Sequence, residues 1–377
     1  MIAKVLFLGS LASSLRNFRG SLISAVREHG HSVYTVAPGL HEDTETLEWL
    51  SERGIECHSV PLSRAGLSPL GDLATLRRLV RLMQRVRPEY FLGYTIKPVI
   101  WGLIAAWIAR VPNRAALVTG LGYAFTGEAK GKRALVQGVA RALYRFALRR
   151  ATLIFFQNPD DRADFQRLGL LPNNVPVVVV NGSGVDVEAF SPTPLPKKPL
   201  RFLLIARLLG DKGIREYAAA AAEIRTRHPD VEFHLVGGLD PNPDGISEKE
   251  VRRWHDSGDI VWQGALLDVR PSIADSHVYV LPSYREGTPR TVLEAMAMGR
   301  PVITTDAPGC RETVVDGENG YLVPVKSVDA LVNAMLRFIE EPGMVATSGA
   351  RARELVEERY DVRKVNEVML RAMGLDV

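Results

Sequence analysis

Two glutamates, one arginine and one lysine are the residues of this chain best suited by type and spacing to handle a charged substrate. Glu286 and Glu294 lie in the stretch Ser283-Tyr-Arg-Glu286-Gly287-Thr288-Pro289-Arg290-Thr291-Val292-Leu-Glu294. The apolar run His277 to Leu281 before it reads as a buried strand. Pro289 fits a first helical turn, where a missing N–H costs nothing, and Gly299 with Pro301 beyond it marks the helix end. Glu286 is therefore expected in the loop at the strand's carboxyl end, and Glu294 inside the helix. Amides near Arg290, Thr291 and Val292 would face that loop, and such a helix start attracts phosphate. An acidic flank complementing the helix dipole would explain either glutamate alone. It explains Glu286 less well, because Gly287 beside it has no side chain to keep a ligand from the backbone.

The cations sit in Ala206-Arg207-Leu-Leu-Gly210-Asp211-Lys212-Gly213, directly after another buried run. Projecting from a glycine-permitted turn, they would suit a diphosphate: arginine binds two oxygens and lysine acts as a point charge. Taken alone, the octet reads more simply as a solvated turn with Lys212 paired to Asp211. Two further glycine turns follow the same logic. Gly9-Ser10-Leu-Ala-Ser-Ser14-Leu-Arg16-Asn17-Phe-Arg19-Gly20 is neither a dinucleotide fingerprint nor a Walker sequence, and is read as a substrate-facing loop between domains. Thr119-Gly120-Leu121-Gly122-Tyr123 closes a strand candidate in the same way.

The elements that must position these residues alternate. Strand candidates are residues 4–9, 32–37, 55–60, 90–94, 114–119, 152–157 and 176–180, with helical patterns such as 72–86, 99–109 and 132–150 between them. This order predicts an α/β fold with a parallel sheet covered on both faces. The proline-dense segment Ser191 to Pro199 reads as a stiff domain junction. The pattern then restarts, with strands at 200–205, 232–236, 260–262, 278–281 and 302–304. Two doubly wound sheets follow, with ligands at the carboxyl ends of their strands where the domains face each other. The expected boundaries are 1–190 and 191–359, with a last helix in 360–377 crossing back to the first domain.

Length and composition agree with this plan. A chain of 377 residues exceeds one ordinary core. Apolar content of 46% with 24% charged residues is that of a globular protein. Two cysteines, Cys57 and Cys310, make no disulfide framework. The opening Lys4 to Leu8 run is too short for a signal-peptide core, and Val99 to Ala109 is about half a membrane span. The net charge of +4 conceals an asymmetry: residues 1–190 carry 23 Lys and Arg against 15 Asp and Glu, the remainder 24 against 28. A basic first half suggests phosphate-bearing partners. Its excess concentrates at Arg77, Arg78, Arg81 and Arg85, and from Lys130 to Arg150. Such helices can lie on an anionic membrane or be ordinary amphipathic helices with arginines in water. Nucleic-acid binding lacks the stacking aromatics of a module. His-Glu-x-x-His, paired cysteines, Asp-x-Asp and Gly-x-Ser-x-Gly are all absent, so no metal is expected. Glu286 and Glu294 share one loop and helix rather than facing each other as glycosidase carboxylates do.

Glu286-x7-Glu294, the Arg207/Lys212 pair and Asn181-Gly-Ser-Gly-Val185-Asp186-x3-Phe190 together resemble family four of the retaining, GT-B-fold glycosyltransferases (glycosyl transferases group 1). Tyr94-Thr-Ile-Lys97-Pro98, Val118 to Gly122, Ile205 to Arg207, Val236-Gly237-Gly238 and Leu281 to Gly287 are most similar to the PglA-like N-acetylgalactosaminyltransferase subgroup. The resemblance implies a hexosamine moved from a UDP-sugar to a polyprenyl-diphosphate-linked saccharide at the cytoplasmic membrane face. Arg207 and Lys212 would hold the diphosphate, Glu286 the donor sugar and Glu294 the ribose. Amides near Thr291 and Val292 would meet the distal phosphate, with Gly9 and Gly237 also lining the donor site. Lys97, Thr119 and Asn17 are the candidates on the acceptor side. No cofactor is implied, since fixed cations and a helix start neutralise the leaving group. An epimerase or hydrolase on the same fold, or a non-catalytic nucleotide-sugar-binding protein, remain alternatives.

Overall fold

The computed structural model describes residues 2–63, 68–120, 132–197, 199–242 and 244–376; side chains 132–135 also fall outside the description, as do Gly122, Tyr123 and Lys130. The chain divides into two compact units, one of residues Met1–Ser183 and Arg363–Val377, the other of Gly184–Val362.

The first unit holds a seven-stranded sheet: β1 (Lys4–Leu8), β2 (Ser32–Ala37), β3 (Glu56–Ser59), β4 (Tyr90–Tyr94), β5 (Asn113–Val118), β6 (Leu153–Phe156) and β7 (Val177–Val179), in the order β3-β2-β1-β4-β5-β6-β7. Every pairing is parallel. Apart from the edge strand β3, Glu-Cys-His-Ser, the strands are rich in apolar residues, as expected where helices cover both faces. Leu79, Leu82, Met83 and Val86 of the Pro69–Val86 helix enter one side of the core. Val365, Met369, Leu370 and Met373 of the Val362–Met373 helix enter the other, beside Val5 and Phe7. The arginines of the Pro69–Val86 helix are exposed, so its apolar stripe serves the core in the ordinary amphipathic way.

The second unit repeats the plan with β8 (Arg201–Ile205), β9 (Glu232–Val236), β10 (Val261–Trp262), β11 (Val278–Leu281), β12 (Val302–Thr305) and β13 (Gly320–Val323), ordered β10-β9-β8-β11-β12-β13 and parallel throughout. In both sheets the order reverses beside the first strand, between β1 and β4 and between β8 and β11. Doubly wound folds bind ligands outside the carboxyl ends of the strands at that point.

Two sequence expectations are corrected here. The stretch after β1 is not an open cradle: Ala12–Asn17 and Gly20–Glu28 are helices, and Asn17 ends the first of them, accepting a 3.3 Å hydrogen bond from Arg16 Nε. The units also meet the chain at 183/184 and 362/363 rather than at the proline-dense segment. Val185 N–H donates to the Tyr360 carbonyl (2.9 Å) and Val362 N–H to that of Val185 (3.0 Å), so Gly184–Phe190 belongs to the second unit.

The proline-dense segment is fastened inside that unit by Arg300, which is 1% exposed. Its guanidinium donates to the carbonyls of Thr193 (2.9 Å), Met298 (2.9 Å), Ala274 (2.9 Å) and Ile273 (3.2 Å), and to Thr193 Oγ1 (2.8 Å). Burial lowers its pKa to about 10. Arg300→Ala would strand several buried carbonyls, at roughly 1–3 kcal/mol for each left unsolvated. Thermal unfolding of the variant is expected at least about 5 °C below the parent.

Candidate active site

The second unit's switch point gathers the loops after β8 and β11. Gly213 has φ of +70°, and a side chain there would run into the Pro282 carbonyl. The glycine therefore lets the Gly210–Lys212 turn press against the β11 loop. Tyr284 N–H donates to the Asp211 carbonyl (2.8 Å) and Ser283 Oγ to the same oxygen (3.2 Å), fixing the two loops together. Across this contact Lys212 Nζ meets Glu286 Oε1 at 2.6 Å. Lys212 thus pairs with Glu286, not with Asp211 as the isolated octet suggested.

Both side chains of that pair are mostly buried, 14% and 17% exposed. Burial works against the Lys212 ammonium, but the Glu286 charge and hydrogen bond outweigh it and raise the lysine's pKa above its ordinary value. Burial raises the Asp211 carboxyl, with Lys212 opposing and Glu286 and Asp244 reinforcing the rise. Arg207 is 61% exposed and ion-paired to Asp240 at 2.9 Å. It stays close enough to weigh against the Lys212 proton, so the two cations share one rim without touching a common partner.

The Arg290–Ala297 helix starts one residue later than expected, with Pro289 as its N-cap at ψ of 108°, and Gly299 beyond it at φ of +77°. Val292 N–H already donates to the Pro289 carbonyl at 3.1 Å. This amide is spent within the turn, so Val292 does not offer it to a ligand. Thr291 Oγ1 takes a 2.6 Å hydrogen bond from the Tyr279 hydroxyl and lies 3.2 Å from the Ile205 carbonyl. Tyr279 thereby ties the helix start to the end of β8. Glu294 is 6% exposed and held by Arg290 Nε at 2.8 Å. Burial raises its pKa, with Arg290 pulling the other way. Thr288 Oγ1 bonds the Gly287 carbonyl at 2.9 Å.

A support invisible to motif reading lies behind Glu286. Its N–H donates to the Pro308 carbonyl at 2.9 Å, and Gly309, at φ of +80°, packs directly on the Glu286 and Gly287 carbonyls. Pro308-Gly309 is a turn signature that could have flagged this brace. Gly237 proves to be a packing glycine: a side chain would strike the Ala206 carbonyl, and its own carbonyl accepts from Trp262 Nε1 at 3.0 Å.

The first unit's switch point carries Gly9, Thr95, Lys97 and Thr119. Gly9 is kept bare by Tyr94, whose hydroxyl occupies the space a side chain would take and lies 2.9 Å from Ser14 Oγ. Thr95 has φ of +69°, a region branched residues avoid, and donates to Ser10 Oγ at 3.0 Å. Lys97 does not stand open: it is 3.0 Å from Asp72 Oδ1 and 2.7 Å from Ser63 Oγ. An acceptor phosphate would have to displace a mostly buried carboxylate there. Thr119 is half-buried at the end of β5.

Two family models match the chain, the glycosyl transferase 4-like domain over residues 16–182 and the glycosyl transferases group 1 over residues 199–341. The chain belongs to the group 1 glycosyl transferases, and its two Rossmann-like units are those of the GT-B fold. Among curated relatives, it is 28% identical to an N,N'-diacetylbacillosaminyl-diphospho-undecaprenol alpha-1,3-N-acetylgalactosaminyltransferase of Campylobacter jejuni, covering 89% of each chain. It is 26% identical to a UDP-Gal:alpha-D-GlcNAc-diphosphoundecaprenol alpha-1,3-galactosyltransferase of Escherichia coli, over 82% of this chain and 81% of that one. Among solved structures, HepE of Anabaena in complex with UDP and glucose superposes with a TM-score of 0.77 at 20% identity over 99% of both chains. Sucrose-phosphate synthase of Thermosynechococcus elongatus gives 0.78 at 20% identity over 98% of both. Among the described residues no helix is long and apolar enough to cross a membrane.

Proposed function

We propose that this glycosyltransferase moves an N-acetylhexosamine, N-acetylgalactosamine first among them, from its UDP form to a polyprenyl-diphosphate-linked saccharide, with retention and without a metal. The observation that carries the reading is the Lys212–Glu286 pair, held where the second sheet's strand order reverses, beside a helix start and a buried Glu294. A donor diphosphate arriving there meets one fixed ammonium, one exposed guanidinium able to swing from Asp240, and the Thr291 amide at the helix start. These donors stabilise the charge that builds on the departing UDP. Glu286 would turn from Lys212 toward the donor sugar, and Glu294 would accept the ribose hydroxyls. The name of the Campylobacter relative supports the sugar and the lipid diphosphate. The basic first unit supports work at the inner, cytoplasmic membrane surface.

The reading is tested by incubating the protein with a panel of UDP-sugars and undecaprenyl-diphosphate sugars in EDTA, following product by mass spectrometry and its anomeric configuration by NMR. Transfer of N-acetylgalactosamine with retained configuration is expected. Donor cleavage or epimerisation without acceptor, or no turnover with any pair, would overturn it.

A further inference from the structure

At the outer edge of the first unit, past the carboxyl end of β3, lies a groove of about 440 Å³. Its walls are His41, His58, Ser59, Val60, Leu82 and three arginines, Arg78, Arg81 and Arg85, of the Pro69–Val86 helix. None of these residues is among those assigned above to the donor or the acceptor.

The chemistry of the lining is one-sided. Among the described residues none of the three guanidiniums is hydrogen-bonded or ion-paired. Other arginines of this unit are engaged: Arg114 donates to three backbone carbonyls, and Arg145 to Leu168 and Gly169. The carboxylate that reaches a lining residue is Glu56, 2.9 Å from His58 Nε2. Burial, Arg85 and His41 all disfavour a proton on His58, with Glu56 opposing them. The unit as a whole carries 26 Lys and Arg against 15 Asp and Glu, the second unit 21 against 28. Like charges gathered round a hollow repel one another and concentrate anions there. Guanidiniums at three, four and seven-residue spacings along one helix face present paired N–H donors matched to phosphate oxygens. Leu82 and Val60 give the floor an apolar portion, so the groove offers charge at its rim and contact beneath.

We infer that this groove is a second anion site, taking a phosphate or diphosphate group carried by a lipid headgroup or free in solution. It is independent of the donor site and goes beyond the transfer reaction proposed above.

The experiment compares the full chain with an Arg78→Gln/Arg81→Gln/Arg85→Gln variant. Inorganic pyrophosphate is titrated calorimetrically with UDP saturating and, separately, in the Lys212→Ala background, so that failure of the donor-site reading leaves the result interpretable. Flotation with vesicles of phosphatidylglycerol and phosphatidylcholine, against phosphatidylcholine alone, is run alongside. At least one probe is expected to bind the parent, weaken as salt rises from 50 to 200 mM by screening, and lose at least about tenfold in affinity in the triple variant. Loss of vesicle binding alone identifies a headgroup as the source, and loss of pyrophosphate binding a free anion. Unchanged circular dichroism and thermal unfolding show that the variant is folded. Equal binding by parent and variant, or binding of neither probe by the parent, overturns the proposal.

Discussion

Lys212→Ala is expected to reduce transfer by about 100- to 1,000-fold, the range for removing one preorganised charge stabiliser from an active site. The same change should lower the stability of the second unit by roughly 2 kcal/mol, because it strands a mostly buried Glu286 carboxylate. The two effects are separable. In Lys212→Ala/Glu286→Gln the stranded charge is gone, so most of the lost stability should return while transfer stays at least as low as in Lys212→Ala. Thermal unfolding and a transfer assay on the same three proteins check this. Recovery of turnover together with stability would mean that Lys212 serves only the fold. The pH dependence follows from the raised lysine pKa. The pair's contribution is complete below the ordinary lysine value and fades only as pH climbs through the higher, folded value. Any alkaline loss of activity below pH 10 therefore belongs to another group.

Glu294→Gln is expected to separate binding from stability in the opposite sense. Hydrogen bonds to a charged acceptor contribute about 1.5–3 kcal/mol, so UDP affinity should fall about 10- to 100-fold. Stability should not fall with it. Burial holds the folded-state pKa of this carboxyl above its unfolded value. The folded protein therefore resists ionisation, and Glu294 costs stability progressively as pH rises from the ordinary carboxylate range through the raised value. An amide removes that cost, and at pH 7 the variant should unfold at or above the parent's temperature. The gap should close as pH is lowered toward 4. Calorimetry for UDP and unfolding curves at both pH values measure this. A variant that binds UDP normally, or that is destabilised at pH 7, would remove Glu294 from the donor site.

Much of this was legible in the chain because it follows from local rules. Continuous apolar runs separated by helical periods gave both parallel sheets, and glycines at strand ends marked the loops that converge. Tertiary partners were not legible. Nothing in the octet says that Lys212 reaches 74 positions along the chain to Glu286, nor that Asp72 claims Lys97. Gly309 and Tyr279 escaped because their roles exist only through the backbones they brace. β13 was missed, since Gly320 at its start looks like a loop residue; at φ of +150° it lies where a side chain would meet the Val302 carbonyl. The proline-dense segment misled as a junction because Arg300, 107 positions from Thr193, is what ties it down.

The bridge between Val185 and Asp361 has a practical consequence. It closes the second unit where the chain enters and leaves, so Gly184–Val362 is a single insertion with adjacent ends. That stretch can be cloned as one uninterrupted piece, whereas the first unit, excised, would need Ser183 spliced to Arg363. Removing the stretch from Val365 onward would strip apolar side chains from the interior of the first unit, far in sequence from the strands they cover.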